Sequence, residues 1–114
     1  MNTCKVVSYL DVKTEHLGRP GCRGARARRL IWEEDGAKNF HARMIEILPS
    51  GMIPSHQHEY EHCAFVLEGK CMVICGEEKK TVEEGSAIFI PANVKHSWHN
   101  ITKTITTFLL VDVF

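Results

Sequence analysis

Residues 51–69 read GMIPSHQHEYEHCAFVLEG, and this stretch decides the fold. Its three histidines, His56, His58 and His62, keep even spacing just ahead of an apolar run. On an extended chain, even spacing puts all three imidazoles on one face. Imidazole binds Zn, Ni, Cu and Fe well and also occurs on Mn, so three such groups converging at ~2 Å from a common point make a metal site. The plainer alternative is a solvated, histidine-rich loop. Against it stands His96, farther along the chain, as a candidate fourth ligand.

Outward from this stretch the chain is a series of short strand-like runs punctuated by turn residues. Residues 40–48 read as a strand with two faces, Phe40, Ala42, Met44, Glu46 and Leu48 against His41, Arg43, Ile45 and Ile47; Pro49-Ser50-Gly51 is expected to close it. Arg43 points either into a barrel, where a guanidinium can grip an anionic substrate with two hydrogen bonds, or onto an outer face. After the histidines come CAFVLEGK, CMVIC (71–75), a strand over 81–84, SAIFIP (86–91), His96 to Asn100 and residues 104–114, separated by turns at Gly69, Gly76 and Gly85. Pro91 stops one run, and Asn93 sits where a tight turn needs positive φ. On the N-terminal side, RPGCRG (19–24) is a turn, RGARARRLIW (23–32) alternates in part, and EEDGAKN (33–39) is a hairpin-type turn around Asp35-Gly36. No long amphipathic helical period is present. Strands at this spacing predict an antiparallel sandwich or barrel.

The 114 residues suit one domain over 1–114, able to bury a single core. Fourteen basic and fourteen acidic residues balance, so no net field favours nucleic acid or a membrane surface. Five arginines between Arg19 and Arg29 could form a basic patch; with zero net charge and no interleaved aromatics, solvated strand faces and intersubunit ion pairs account for them better. The longest apolar run is far short of the ~20 residues of a membrane span, and the start MNTCKVVSYL lacks the pattern of a secretory signal, so a cytoplasmic protein is expected. Cys4, Cys22, Cys63, Cys71 and Cys75 are an odd count with no C-x-x-C pair, which reads as reduced thiols.

Two motifs resemble those of the cupin superfamily of small jelly-roll barrels. The first, over 51–69, places Gly51, His56, His58, His62 and Gly69 where that family has Gly, His-x-His, a further ligand and Gly; His62 stands where glutamate is commoner, and the first spacer is one residue short. The second, over 85–100, appears as Gly85, Pro91, Asn93, His96 and Asn100, with Asn93 replacing an inner glycine. HQHEYEH is similar to the His-x-His-x-x-Glu-His form of small single-domain cupins, in which the ligands are four histidines. The resemblance implies an all-β jelly-roll barrel of two antiparallel sheets and one divalent transition metal ion, Zn, Ni, Fe or Mn, held by His56, His58, His62 and His96. Glu61 is the alternative third ligand, but odd spacing turns it to the other face of a strand. His99 follows His96 by an odd step and should point away, and His16 and His41 have no motif around them.

Parity puts Ala64, Val66 and Trp98 inward, as an apolar wall near the metal, with Arg43 and Trp98 as candidate substrate contacts. For Phe65, Phe89, Phe108 and Met44 the facing is open, and core packing is the default. The function expected is a metal-dependent enzyme on a small oxygen-rich molecule, a carboxylate, enol or sugar-like compound, by dioxygenation, decarboxylation or isomerisation. The alternative is a metal-dependent ligand-binding or sensing module without turnover, because the motif region offers no clear base beyond Glu61 and Tyr60. A homodimer is expected, since so small a barrel exposes sheet edges.

Overall fold

The computed structural model describes residues 3–114. Among the described residues nine strands follow in order: β1 Glu15–His16, β2 Arg23–Ile31, β3 Phe40–His56, β4 Glu61–Glu68, β5 Lys70–Cys75, β6 Glu78–Glu83, β7 Ala87–Ile90, β8 His96–His99 and β9 Thr106–Val113. All pairings are antiparallel, in the order β6-β5-β8-β3-β9-β4-β7, with β2 on the other side of β3 and β1 beside β2. The path curls into a barrel, and its two layers join through β3. No helix among the described residues is long and apolar enough to cross a membrane.

The long third strand departs from expectation. Pro49-Ser50-Gly51 does not end it; the chain bends there, with Ser50 at φ 65, and strand geometry resumes. Before the bend β3 pairs with β9, from Phe40 opposite Val113 to Ile47 opposite Thr106; beyond it β8 takes over, with Met52 opposite His99 and Ile53 opposite Trp98. Gly51 is required by close approach, since a Cβ there would lie 2.6 Å from the Gly24 carbonyl oxygen and 2.8 Å from that of Leu48. Asn100, fully buried, ties the bend down: its Nδ2 donates to Ile47 O and Thr104 O, both at 2.8 Å, and its backbone N–H donates to Gly51 O at 2.9 Å. The first residue of one motif and the last of the other thus meet at one corner of the barrel.

The interior holds Ile45, Ile47, Val66, Ile90, Trp98 and Phe108, with Trp98 stacked on Phe108 at 4.3 Å between ring centres. Burying each of the aliphatic side chains is worth about 1.5–3 kcal/mol. Alternation in β4 is clean, with His62, Ala64 and Val66 in and Glu61, Cys63 and Phe65 out. Phe108 is core, whereas Phe65 and Phe89 are 46% and 60% exposed, against the core default. Met44 is buried on the face of β3 opposite Ile45 and Ile47, where Glu46 lies 3.1 Å from Arg26 and 3.6 Å from Arg28, and Arg28 donates to Tyr9 O. Arg29 lies 3.8 Å from Glu15, so part of the arginine cluster is used in ion pairs within the chain. Residues 33–39 hold a 3-10 turn, Glu33–Asp35, closed by Gly36 at φ 94. All five cysteines are free, and burial pushes the Cys71 thiol up to about 11.

Candidate metal centre

His56, His58, His62 and His96 come together, with one ring nitrogen of each within 4.8 Å of the others. Strand parity alone does not bring them there. His56 is the last residue of β3 and pairs with His96, the first of β8; His62 is the second residue of β4, and His58 lies in the loop between β3 and β4. The loop returns the chain so that β3 and β4 present their ends to the same point.

Each ring is oriented by its other nitrogen. Nδ1 of His56 faces Pro54 O at 3.0 Å, that of His58 faces Tyr60 O at 2.9 Å, and that of His96 faces Val94 O at 2.9 Å. A carbonyl oxygen only accepts, so these three rings carry their proton on Nδ1 and direct the Nε2 lone pair inward, the arrangement typical of metal-bound histidine. His62 has a carboxylate instead, with Asp112 Oδ1 2.9 Å from Nδ1, although the contact is not well aligned. The turn between β7 and β8 supports the loop, since Asn93, at φ 64 as expected, donates its N–H to His58 O at 2.7 Å.

Two observations test whether a cation fits. Nε2 of His96 is buried and has no hydrogen-bond partner among the described residues. Nε2 of His58 and His62 lie 2.8 Å apart, and with both Nδ1 atoms facing oxygens, two lone pairs would oppose each other unless a proton or metal ion lies between them. Burial holds His56, His58 and His96 below the ordinary imidazole range, His96 at about 4, so they are neutral at pH 7, as metal ligands must be. The group can hold a divalent transition metal ion. Glu61 is exposed on the outer face of β4, and His99 pairs with Ser97 Oγ at 3.0 Å, so neither reaches the centre.

Beside the cluster lies a cavity of ≈ 340 Å³, at the small end of ligand pockets. His56, His62 and Tyr60 line one part, Ile45, Ile53, Trp98 and Leu110 form apolar walls, and Arg29 and Arg43 add cations. Arg43 therefore faces inward. Ala64 and Val66 pack into the core instead of the cavity wall. Tyr60 stacks on His58 at 3.8 Å; burial and then the nearby Asp112 charge raise its phenol, which stays protonated.

A family model described as the cupin domain matches residues 43–112. The chain belongs to the cupin family. Among solved structures, this cupin is similar to the polyketide cyclase RemF from Streptomyces resistomycificus, with TM-score 0.91 and 34% identity over 97% of this chain and 80% of that one. A predicted oxalate decarboxylase of Thermotoga maritima shares the fold at TM-score 0.89 and 18% identity, over 96% and 99% of the two chains. A curated Streptomyces coelicolor protein, described as uncharacterized, is 31% identical over 48 residues, 42% of this chain and 46% of that protein, so the match spans about half of that relative.

Sequence reading missed two parts of this cupin's site. The first is the N-terminal cover of the cavity, Glu15, His16, Leu17, Arg19 and Cys22, which no local pattern marks. The second is Asp112, 3% exposed, with both carboxylate oxygens 3.3–3.4 Å from Arg43 Nη2. Burial pushes the Asp112 carboxyl up, but His62 and the Arg43 guanidinium outweigh it and hold the group below its usual range. A signal was available: in TTFLLVDVF, Asp112 has the inward parity of Phe108 and Leu110.

Proposed function

We propose that this cupin is a metal-dependent enzyme that closes a ring in a small polyketide-like molecule by enolate chemistry, within the enol class expected from the sequence. The observation that carries the reading is the set of four inward-facing imidazole nitrogens beside a compact, apolar-walled cavity; the likeness to a polyketide cyclase over nearly the whole chain supports the substrate class. His56, His58, His62 and His96 would hold the ion. A divalent metal there supplies Lewis acidity toward a carbonyl oxygen.

The residues of the chain do the rest. Trp98, Ile45, Ile53 and Leu110 present apolar surface against which a flexible β-polyketone folds, bringing its reacting carbons together. Arg43 offers a guanidinium to an enolate or carboxylate oxygen of the substrate. Tyr60 keeps a proton on Oη and can deliver it to the oxygen that gains charge as the carbon–carbon bond forms. The carbon acid loses one proton to solvent, the new alkoxide oxygen takes one from Tyr60, and solvent reprotonates the phenolate; no electrons are gained or lost, so ring closure needs no oxidant.

The test is to load untagged protein with Zn, Ni, Fe or Mn in turn, add a synthetic β-polyketone and follow product by mass spectrometry while recording oxygen uptake. Cyclised product formed only by metal-loaded protein, without oxygen consumption, is expected. Tight metal and ligand binding without turnover would establish the sensing-module alternative, and oxygen uptake would establish dioxygenation. For the homodimer, the outward Phe65, Leu67 and Phe89 of β4 and β7 supply a candidate contact face. A single-copy mass by light scattering at micromolar concentration would remove it.

A further inference from the structure

Asp112 occupies a position that the proposed reaction does not use. It stands directly opposite His62 in the β4–β9 ladder, is 3% exposed, and lies between His62 Nδ1 at 2.9 Å and Arg43 Nη2 at 3.3 Å. A buried carboxylate is costly unless it is paired, and here one of its two partners is a candidate metal ligand. The other three histidines face neutral backbone carbonyls. His62 is thus the one ring of the four backed by a charge, and it fills the place where the resemblance leads one to expect a glutamate.

Resting on the metal-centre reading above, we propose that Asp112 is a positioning residue: it sets His62 with Nδ1–H toward its carboxylate and Nε2 toward the ion, and supplies from behind the ring the negative charge that a direct carboxylate ligand would give. Arg43 Nη2, on β3, contacts both carboxylate oxygens and ties Asp112 of β9 to β3, while the contact with His62 runs across to β4. Four neutral imidazoles alone leave the ion with its full charge, whereas a carboxylate hydrogen-bonded behind one imidazole raises that ligand's basicity and strengthens its bond to metal. Removing such a partner typically costs 10–100-fold in metal affinity.

The experiment measures zinc affinity by competition with a chromophoric chelator, together with melting of the metal-free proteins. Asp112→Asn keeps the shape but not the charge, and it is expected to weaken zinc binding about 10–100-fold. Arg43→Met retains the Asp112–His62 contact and is expected to bind zinc within a few-fold of the unmodified protein while melting lower when metal-free. An ion pair serving only to fasten β3 to β9 predicts the opposite: both variants melt lower and both bind zinc as the parent does, which overturns the proposal. Should Asp112→Asn fail to fold, nitrogen-15 shifts of the zinc-loaded parent decide, because Nδ1-protonated, Nε2-ligated His62 is required and an Nδ1-ligated His62 refutes it. A parent protein that takes up no zinc, nickel, iron or manganese instead overturns the metal-centre reading, and this inference with it.

Discussion

The four histidines form two unlike pairs. His62 and His96 lie on strands and are 3% and 1% exposed; the Nδ1 of His62 reaches Asp112, across the sheet, and that of His96 faces a carbonyl two residues back. His56 ends β3 and His58 occupies the loop that follows; both are half-buried and oriented by carbonyls two residues away in sequence, Pro54 O within β3 and Tyr60 O in the loop. The strand pair is held by the barrel core, so its geometry depends on sheet register. The half-buried pair is held by short-range contacts, His56 by its place opposite His96 at the end of β3 and His58 by the turn that includes Asn93. One half of the site is thus set by the packed sheet, the other mainly by short-range backbone contacts.

The largest effects that could break this comparison come from removing ligands. Each of the four His→Ala variants should lose most bound metal by elemental analysis, and with it the RT ln(1 + [L]/Kd) that a native-state ligand adds, about 2.7 kcal/mol at a hundredfold excess over Kd. The pairs should differ once metal is stripped. His62→Ala and His96→Ala leave gaps in packed surroundings and should destabilise by about 2 kcal/mol, whereas His56→Ala and His58→Ala should stay within about 0.5 kcal/mol. Equal metal-free melting temperatures for all four would erase the distinction.

Acid sharpens the same contrast. His96 titrates at about 4 in the folded chain, below its ordinary range, chiefly through burial. Above pH ~6.5 the ring is neutral in both states and folding feels nothing; as pH falls from ~6.5 to ~4 the unfolded chain takes up a proton that the folded chain refuses, so stability falls. The loss attributable to His96 is on the order of 3 kcal/mol for metal-free protein, by conversion of the shift. His96→Gln should flatten the denaturant midpoint across this window, and an equally steep profile in that variant would assign the acid lability elsewhere.

Smaller effects probe the loop half. Asn93→Ala keeps the N–H to His58 O but forces alanine into φ 64, at a cost of about 1–2 kcal/mol, while Asn93→Gly should be nearly neutral. If both bind metal unchanged, the turn does not help to place His58. Smallest of all should be Glu61→Ala, on the solvent side of β4, with unchanged metal content and stability within about 0.5 kcal/mol. Metal loss in that variant, with metal retained in His62→Ala, would exchange the two residues' roles.

The β class, the strand runs and the four histidines were legible in the sequence because each rests on local pattern: alternation, turn residues and spacing act over a few positions, so they survive without knowledge of the partner strand. Gly51, Asn93 and Asn100 were visible as motif residues, though not that Gly51 and Asn100 meet at one bend. What only the tertiary structure decided are the contacts whose register depends on the closed barrel. Asp112 reaches Arg43 across 69 positions and lies opposite His62, and residues 15–19 and Cys22 line the same cavity as Trp98 and Leu110. The exposure of Phe65 and Phe89 belongs here too, since sheet parity says which way a side chain points but not whether another layer covers it. A buried charge is recognised only when its partner is known, and the barrel supplies that partner.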